Sequence, residues 1–269
     1  MKVTVLGSGS SGNATLIEAG DVRILIDAGF SGRDIERRLR AIDVEPGSIT
    51  ALVITHDHGD HTRGMGVLAR RFGLPLFLTD RTRVACAALL NGSEDVRSYS
   101  SSTPFTIGTL EVRPFLTVHD AADPVAVTVR NTETGARLGI ATDLGRPTMA
   151  VRAELAGCHM LVLEANHDDA RLWTGPYPWS VKQRIASSHG HMSNRAAAEL
   201  ARELCHDGLR TIVLAHLSTH CNDAALAHDV VGSALARLRY RGSLAVAPQD
   251  EPMAPVNVTS SPEQLTLLL

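Results

Sequence analysis

Cysteine is scarce in this chain, and its few thiols form no recognisable pattern. The 269 residues contain four cysteines with no C-x-x-C spacing. They are Cys86, Cys158, Cys205 and Cys221. Scattered cysteines give no support to a disulfide framework, so we expect reduced thiols in a cytoplasmic protein.

Long apolar runs and an excess of positive charge are also missing. No run of about 18 apolar residues occurs, so we expect no membrane-spanning helix. The sequence leads from Met1 directly into a strand-like segment and shows no signal peptide. The formal net charge is −3, and the only lysines are Lys2 and Lys182. Global charge therefore gives no support to a nucleic-acid partner, although a local basic patch can suffice.

Core-forming residues, by contrast, are plentiful. Hydrophobic residues make up 44% of the chain, which is enough for one large domain or two small ones. The chain opens with antiparallel strand signals and continues with alternating strand-like and helix-like segments. This pattern suits two packed β-sheets that are covered by helices on both outer faces.

The most informative stretch is residues 55–61, with the sequence T-H-D-H-G-D-H. It follows the apolar run A-L-V-I, which predicts a short buried strand that ends in a loop. Imidazole and carboxylate are the usual ligands of first-row metals, and this loop offers both. His56 and His58 alternate and can face one point, while Asp60 and His61 can face a second. A polar surface loop is the alternative interpretation.

Further ligand-type residues follow other apolar strands. His119 comes after the strand predicted to end at Phe115, Asp143 follows the strand predicted over 137–141, and His216 follows the strand predicted over 211–215. For His119, a buried core histidine is the alternative. A carboxylate such as that of Asp143 has two oxygens and can hold two cations close together.

Taken in order, these residues resemble the ligand set of the metallo-β-lactamase superfamily, including H-x-H-x-D-H at 56–61. The resemblance covers the chain up to about Ala247 and implies an αββα sandwich of two mixed β-sheets. It also implies two divalent metal ions, zinc by default, with manganese or iron equally suited to nitrogen and oxygen ligands. The implied ligands are His56, His58 and His119 for one metal, Asp60, His61 and His216 for the other, and Asp143 between them. The resemblance also implies that Asp27 supports the metal loop without binding metal itself.

Four other segments resemble the narrower YycJ/WalJ branch of that superfamily. They are G-S-G-S-S-G-N-A-T-L at 7–16, H-D-A-A-D-P-V at 119–125, L-V-L-E-A-N-H-D at 161–168 and G-H-M-S-N at 190–194. The chain departs from the branch at C-N-D, residues 221–223, where an asparagine pair is more common. The branch is associated with DNA exonuclease activity. The resemblance therefore implies a dinuclear phosphodiester hydrolase that acts on DNA in repair or replication.

His191 precedes an alanine-rich helix that leads to the strand before His216. Phosphodiesterases of the superfamily are similar at this place, which implies that His191 stabilises or protonates the leaving oxygen during attack by hydroxide. Simple packing at the helix start is the alternative. Asp60 is counted with His191 as a catalytic group. The candidate substrate contacts are Ser8, Ser10, Ser11, Asn13, His167, Arg184 and Asn194.

Several alternatives remain open from sequence. The Gly/Ser loop at 7–13 could be an ordinary turn rather than an oxyanion cradle, and His167 could support metal ligands rather than touch substrate. The whole protein could hydrolyse a small thioester, lactam or cyclic phosphodiester on the same fold. It could also be a metal-bound regulatory protein without turnover.

The C-terminal segment has a different composition from the rest of the chain. Residues 248–262 contain four prolines and little periodicity, which predicts a flexible tether after a hydrolase domain at 1–247. The apolar peptide that follows resembles the Q-L-x-L-F/L motif that docks bacterial DNA-processing proteins on the sliding clamp. Its contact residues would be Gln264, Leu265, Leu267 and Leu268. Packing on the protein's own domain and binding to another partner are the alternatives.

Overall fold

Side chains that alternate along the strands determine how the layers pack. In a computed structural model, which describes residues 1–260, Val125, Val127 and Val129 lie in one apolar cluster and Ala126 lies in another. Met160 and Leu161 divide between the same two clusters. Because successive side chains of a strand point to opposite faces, each sheet here is covered by apolar contacts on both faces.

The described part of the chain forms two sheets of seven strands each. The strands are β1 (Lys2–Gly7), β2 (Ala14–Ala19), β3 (Val22–Ile26), β4 (Ala51–Val53), β5 (Leu76–Leu78), β6 (Val96–Ser98), β7 (Phe105–Ile107), β8 (Leu110–Leu116), β9 (Val125–Asn131), β10 (Arg137–Ala141), β11 (Met160–Glu164), β12 (Thr211–Ala215), β13 (Ser243–Val246) and β14 (Val256–Asn257). The first sheet has the order β14-β1-β2-β3-β4-β5-β6, and the second has the order β13-β12-β11-β10-β9-β8-β7.

Helices cover the outer face of each sheet. They are α1 (Gly32–Arg40), α2 (Gly59–Thr62), α3 (Met65–Phe72), α4 (Asp80–Ala85), α5 (Met149–Leu155), α6 (Asp169–Thr174), α7 (Trp179–Ala186), α8 (Asn194–Glu203) and α9 (Ala224–Ala236). One apolar cluster fills the space between the sheets, and two others lie beneath the helices on the outer faces. The predicted αββα sandwich of two mixed sheets is confirmed.

The direction of the strands decides where the polar loops meet. Strands β3 to β6 are mutually parallel, and so are β10 to β13. Strand β8 runs in the same direction as β10, because both pair antiparallel with β9. The carboxyl ends of parallel strands lie at one edge of a sheet, so the loops after β4, β8, β10, β11 and β12 gather at a common edge.

Two helices flank a short proline-containing connection after β11. Residues 169–186 contain Pro176 and Pro178, yet α6 precedes these prolines and α7 begins directly after them. Proline is tolerated at the start of a helix, where its missing N–H would have no helical partner. The prolines therefore separate two helices instead of excluding them.

The expectation of a flexible tether is wrong for residues 248–260. Strand β14 pairs antiparallel with β1, and Val258 is 3% exposed within the core between the sheets. The side chain of Gln249 donates to the carbonyl of Gly12, and its own backbone carbonyl accepts from Arg38. Apolar side chains spaced between the prolines suffice to hold this segment on the domain, because proline is tolerated on an edge strand.

The proposed clamp-binding residues, Gln264, Leu265, Leu267 and Leu268, lie outside the described residues. Among residues 1–260, no helix is long and apolar enough to cross a membrane.

Candidate metal centre

Ligand-type side chains from five loops converge at the common edge of the two sheets. Three overlapping groups occur among the described residues, and within each group one ligand atom per residue lies within 4.8 Å of the others. The groups are His56, His58, His119 and Asp143; Asp60, His61, Asp143 and His216; and Asp143, Glu164, His191 and His216. All seven residues expected to bind metal are in the first two groups, and Asp143 belongs to all three.

Backbone strain accompanies the convergence. Asp27, Asp143 and His216 each follow the end of a strand and have φ angles of 63°, 56° and 56°. This left-handed region is unfavourable for residues other than glycine and persists only where the surrounding structure enforces it. The side chains of all three residues contact other groups of the site: Asp27 and Asp143 contact His61, and His216 contacts Asp60.

The first group is held by contacts that orient its imidazoles. Nδ1 of His119 donates to the carbonyl of Gly190 at 3.1 Å, and Nε2 of His58 donates to the carbonyl of Asp120 at 3.2 Å. The remaining ring nitrogens, Nε2 of His119 and Nδ1 of His58, face each other at 3.2 Å. His56 contacts the hydroxyl of Thr55 through Nδ1 at 3.0 Å. Fixing one nitrogen of each ring selects the tautomer whose other nitrogen can bind a metal.

Asp27 joins the second group to the start of the metal loop through hydrogen bonds. One carboxylate oxygen of Asp27 accepts from Nδ1 of His61 at 2.8 Å, and the other accepts from the backbone N–H of Thr55 at 2.8 Å. Nε2 of His61 then lies 3.0 Å from a carboxylate oxygen of Asp143. Nε2 of His216 lies 3.3 Å from the carboxylate of Asp60.

Glu164 is a central residue of the site that sequence reasoning missed. Its Oε1 accepts from Nδ1 of His191 at 2.7 Å and from Nδ1 of His216 at 3.0 Å. Its Oε2 accepts from the backbone N–H groups of Leu144 at 3.0 Å and Met192 at 2.9 Å. One available signal was its position at the end of an apolar strand, the same position that marked Asp143 and His216.

The two imidazoles at Oε1 account for the ionisation of Glu164. Burial raises the pKa of this carboxyl, but the charge and hydrogen bond of His191 and the hydrogen bond of His216 outweigh burial and lower the pKa to about 2. Glu164 is therefore a buried carboxylate at neutral pH. It orients one proposed metal ligand and the proposed leaving-group histidine at the same time.

The charges at the site favour a cation in the second group. Burial lowers the pKa of His216 and of His61, but Asp143 and its neighbouring carboxylates outweigh burial and hold both pKa values well above the usual range. Burial raises the pKa of Asp143, but His216 and His61 hold it well below its usual range. His56 differs, because burial and then the charge of His61 lower its pKa.

Two buried atoms test whether the residues fit a metal. Nε2 of His56 makes no hydrogen bond with the described residues, and Oδ2 of Asp143 is approached by Nε2 of His61, itself a ligand-type nitrogen, at 3.0 Å. Buried polar atoms are nearly always satisfied, so orphaned atoms need an explanation such as a bound ion. Both atoms belong to the first two groups, and imidazole and carboxylate are suitable ligands for divalent cations. The residues present therefore fit divalent metal ions.

Three of the expected substrate contacts instead support the site from within. The hydroxyl of Ser8 donates to Asn13 and accepts from the backbone N–H of His216. The amide of Asn13 donates to the carbonyl of Asp60. Asn194 is buried and exchanges two hydrogen bonds with the amide of Asn222. Because these side chains are buried and occupied, we expect them to position the loops and not to touch a substrate.

The other expected substrate contacts occupy varied positions. Ser10 and Ser11 are exposed on the Gly/Ser loop. His167 is buried, and its Nδ1 has no hydrogen-bond partner among the described residues. Arg184 is exposed and its Nε lies 2.5 Å from the carboxylate of Asp120, beside His119. Of these four, Arg184 and the two serines are open to a ligand.

Comparisons with known proteins agree with this geometry. A family model for the beta-lactamase superfamily domain matches residues 22–217. Exodeoxyribonuclease YycJ of Bacillus anthracis is 34% identical over 234 residues, which is 86% of this chain and 88% of that protein. Exodeoxyribonuclease WalJ of Streptococcus pneumoniae is 33% identical over 244 residues, 88% of each chain. The resemblance to the YycJ/WalJ branch is thereby confirmed.

Among solved structures, the metallo-beta-lactamase fold protein YhfI from Bacillus subtilis superposes with a TM-score of 0.72 at 19% identity. The alignment covers 94% of this chain and 99% of that one. At such low identity the likeness establishes the fold alone.

Proposed function

The chain belongs to the beta-lactamase superfamily as a metal-dependent hydrolase, and from this premise we propose that it is a DNA exonuclease with two divalent metal ions. The observation that carries the proposal is the position of Asp143, which is shared by all three groups of ligand-type residues. A carboxylate between two histidine-rich groups is the arrangement that a two-metal phosphodiesterase requires.

The proposed ligands follow from the two groups that contain the metal loop. His56, His58 and His119 would hold one ion, while Asp60, His61 and His216 would hold the other. Divalent ions in this position supply Lewis acidity, which activates water near neutral pH and offsets the charge of a phosphate. No thiolate is in either group, so zinc, manganese and iron all suit the site, with zinc as the default expectation.

His191 is proposed to act on the leaving group. Its Nδ1 is engaged by Glu164, so Nε2 is the nitrogen left to donate a proton. The ring of His191 lies 5.2 Å from that of His119 and 5.1 Å from that of His216, and 18% of its side chain is exposed. An oriented and partly open imidazole beside both proposed metal positions is suited to stabilise or protonate a departing oxygen.

DNA is the proposed substrate because relatives that match most of this chain, YycJ and WalJ, are named exodeoxyribonucleases. A function in DNA repair or replication and a location in the cytoplasm are part of the same proposal. Docking on a sliding clamp stays a prediction, because it depends on residues 264–268, beyond the described part of the chain.

The test is to incubate the metal-loaded protein with 5′- and 3′-labelled DNA and RNA, each single- and double-stranded. A parallel reaction contains a small phosphodiester as the substrate. We expect stepwise digestion of DNA from one end and two metal equivalents by elemental analysis. Asp143→Asn should abolish hydrolysis and reduce metal content with the fold retained, because the amide removes one of two shared oxygens.

Asp21→Asn is the matched control, because Asp21 is exposed at the turn between β2 and β3. It should leave both metal content and hydrolysis unchanged. Full activity of Asp143→Asn with a single metal equivalent would contradict the dinuclear assignment. Hydrolysis of the small phosphodiester without digestion of any nucleic acid would contradict the substrate assignment.

A further inference from the structure

The chain's only two tryptophans are exposed and lie side by side. Trp173 is 42% exposed at the end of α6, and Trp179 is 64% exposed at the start of α7. Their ring centroids are 5.2 Å apart, with the planes tilted by 41°. Tryptophan is among the most buried residue types on average, and exposed indoles that are not covered within the fold mark binding surfaces. We call this pair the tryptophan platform.

The platform is held rigidly on the fold. Leu172 is fully buried and anchors α6, and the side chain of Asp168 caps the same helix by accepting from the N–H of Arg171. Nζ of Lys182 donates to the carbonyl of Trp173 at 2.8 Å, which ties α7 to α6. A surface whose side chains are already ordered loses less conformational entropy when a ligand binds.

The helix that carries Trp179 also leads to the proposed catalytic histidine. The carbonyl of Ile185, in the last turn of α7, accepts from the N–H of His191 at 2.9 Å. Six residues of helix separate Trp179 from Ile185, which corresponds to about 9 Å along the axis. Stacked bases of one strand are about 3.4 Å apart, so this distance equals roughly three nucleotides.

We propose that the tryptophan platform is a nucleobase-binding subsite that stacks unpaired bases of a single-stranded DNA end, with room for about three stacked nucleotides between Trp179 and the residue that holds His191. This inference rests on the proposed function and adds the form of the substrate. Paired and stacked bases hide their faces, whereas every unpaired base presents a π-face that an indole can stack on. Arg184, on the same helix, pairs with Asp120 through Nε, yet 61% of its side chain stays exposed between the platform and His191, where the backbone phosphates would pass.

Intrinsic fluorescence tests the proposal directly, because the only tryptophans of the chain form the platform. The native protein is titrated in a chelator, which prevents hydrolysis, with a single-stranded oligonucleotide and with an abasic oligomer of the same length and charge. We expect the natural oligonucleotide to quench the fluorescence and to bind at least tenfold more tightly than the abasic one. Equal affinity for the two would overturn the proposal.

Substitutions provide the second arm of the test, with binding followed by a labelled oligonucleotide. Trp173→Ala and Trp179→Ala should each weaken single-strand binding about tenfold, within the range measured for loss of one base–aromatic stack, and should raise KM with kcat held. Trp179→Phe should retain most of the affinity. Leu238→Ala is the matched control, because Leu238 is 44% exposed at the opposite end of the second sheet. Native affinity in both alanine variants would overturn the proposal.

Three further outcomes separate this inference from its premises. If the alanine variants change self-association in sedimentation and leave DNA affinity unchanged, the platform is an interface between copies and the proposal is wrong. If natural bases are preferred but no DNA is hydrolysed with metal, the exonuclease proposal fails while the base-stacking subsite stands. Normal hydrolysis without preference for natural bases overturns only the subsite.

Discussion

Replacing Glu164 by glutamine would test the hydrogen-bond network behind the candidate metal centre. Each oxygen of this buried carboxylate accepts two hydrogen bonds, one pair from imidazoles and one pair from backbone N–H groups. In Glu164→Gln the shape is kept, but one oxygen becomes an NH₂ group that can only donate. Whichever way the amide is turned, that NH₂ group faces two donors.

The size of the effect follows from how many hydrogen bonds the substitution removes. A hydrogen bond to a charged group contributes about 1.5–3 kcal/mol, so the absence of two costs about 3–6 kcal/mol if both donors keep their protons. For domains of about 150–250 residues, Tm falls by about 2–4 °C for each kcal/mol of destabilisation. Applied to this slightly longer chain, a destabilisation of about 3 kcal/mol lowers Tm by about 6–12 °C. The imidazoles can instead change tautomer, which moves the proton of His216 to Nε2 and blocks the nitrogen proposed to bind metal. Disturbing such a supporting hydrogen bond typically weakens metal affinity by about 10–100-fold.

The assay therefore needs two measurements on each variant. Thermal unfolding of the metal-free protein reports the first effect, and a metal titration reports the second. Glu199→Gln is the control, since Glu199 is exposed on α8, and its stability should change by less than about 0.5 kcal/mol. If Glu164→Gln matches this control in both Tm and metal affinity, the hydrogen bonds of Glu164 do not hold the site together.

Three further expectations concern separate parts of the chain. His191→Ala should lower kcat by about two to four orders of magnitude with metal content unchanged; loss of metal would make His191 a ligand, and an unchanged rate would make it structural. Burial raises the pKa of Cys158 to about 12. In the folded protein at pH 8, an alkylating reagent should therefore modify Cys158 far more slowly than the half-buried Cys205. Equal rates of modification by mass spectrometry would refute this. Deleting residues 264–269 should abolish binding to the sliding clamp and leave hydrolysis of short DNA near normal, whereas unchanged clamp binding would exclude the docking motif.

Local sequence was sufficient for the metal loop and for the strands that deliver it. The loop after β4 places its histidines and aspartates within six residues, so their proximity follows from chain connectivity. Strands β10 and β12 were predicted with their observed bounds, because an apolar run between turn residues is itself the signal of a buried strand. That Asp143 and His216 bind metal together with this loop was predicted only through the resemblance to a known family.

Contacts between residues that are distant in sequence could not be predicted from local sequence patterns. Glu164 ends an apolar strand, and the polar residues that follow it, Asn166, His167 and Asp168, do not indicate which side chain supports the site. Its role exists only because β11 lies between β10 and β12, so that His191 and His216 reach it. Similarly, Ser8 and Asn194 lie in polar sequence segments that suggested exposure, and tertiary packing buries both.

By itself, the sequence determined which groups could bind metal and that they stand at strand ends, because residue chemistry and hydrophobic periodicity are local properties. Only the tertiary structure decided which of the remaining polar groups support the site, where the segment 248–260 packs, and that the exposed Trp173 and Trp179 lie beside each other near His191. These outcomes depend on parallel strand order and on helix contacts between distant residues. The free energy of such contacts comes from burial and hydrogen bonding between partners that no single segment contains.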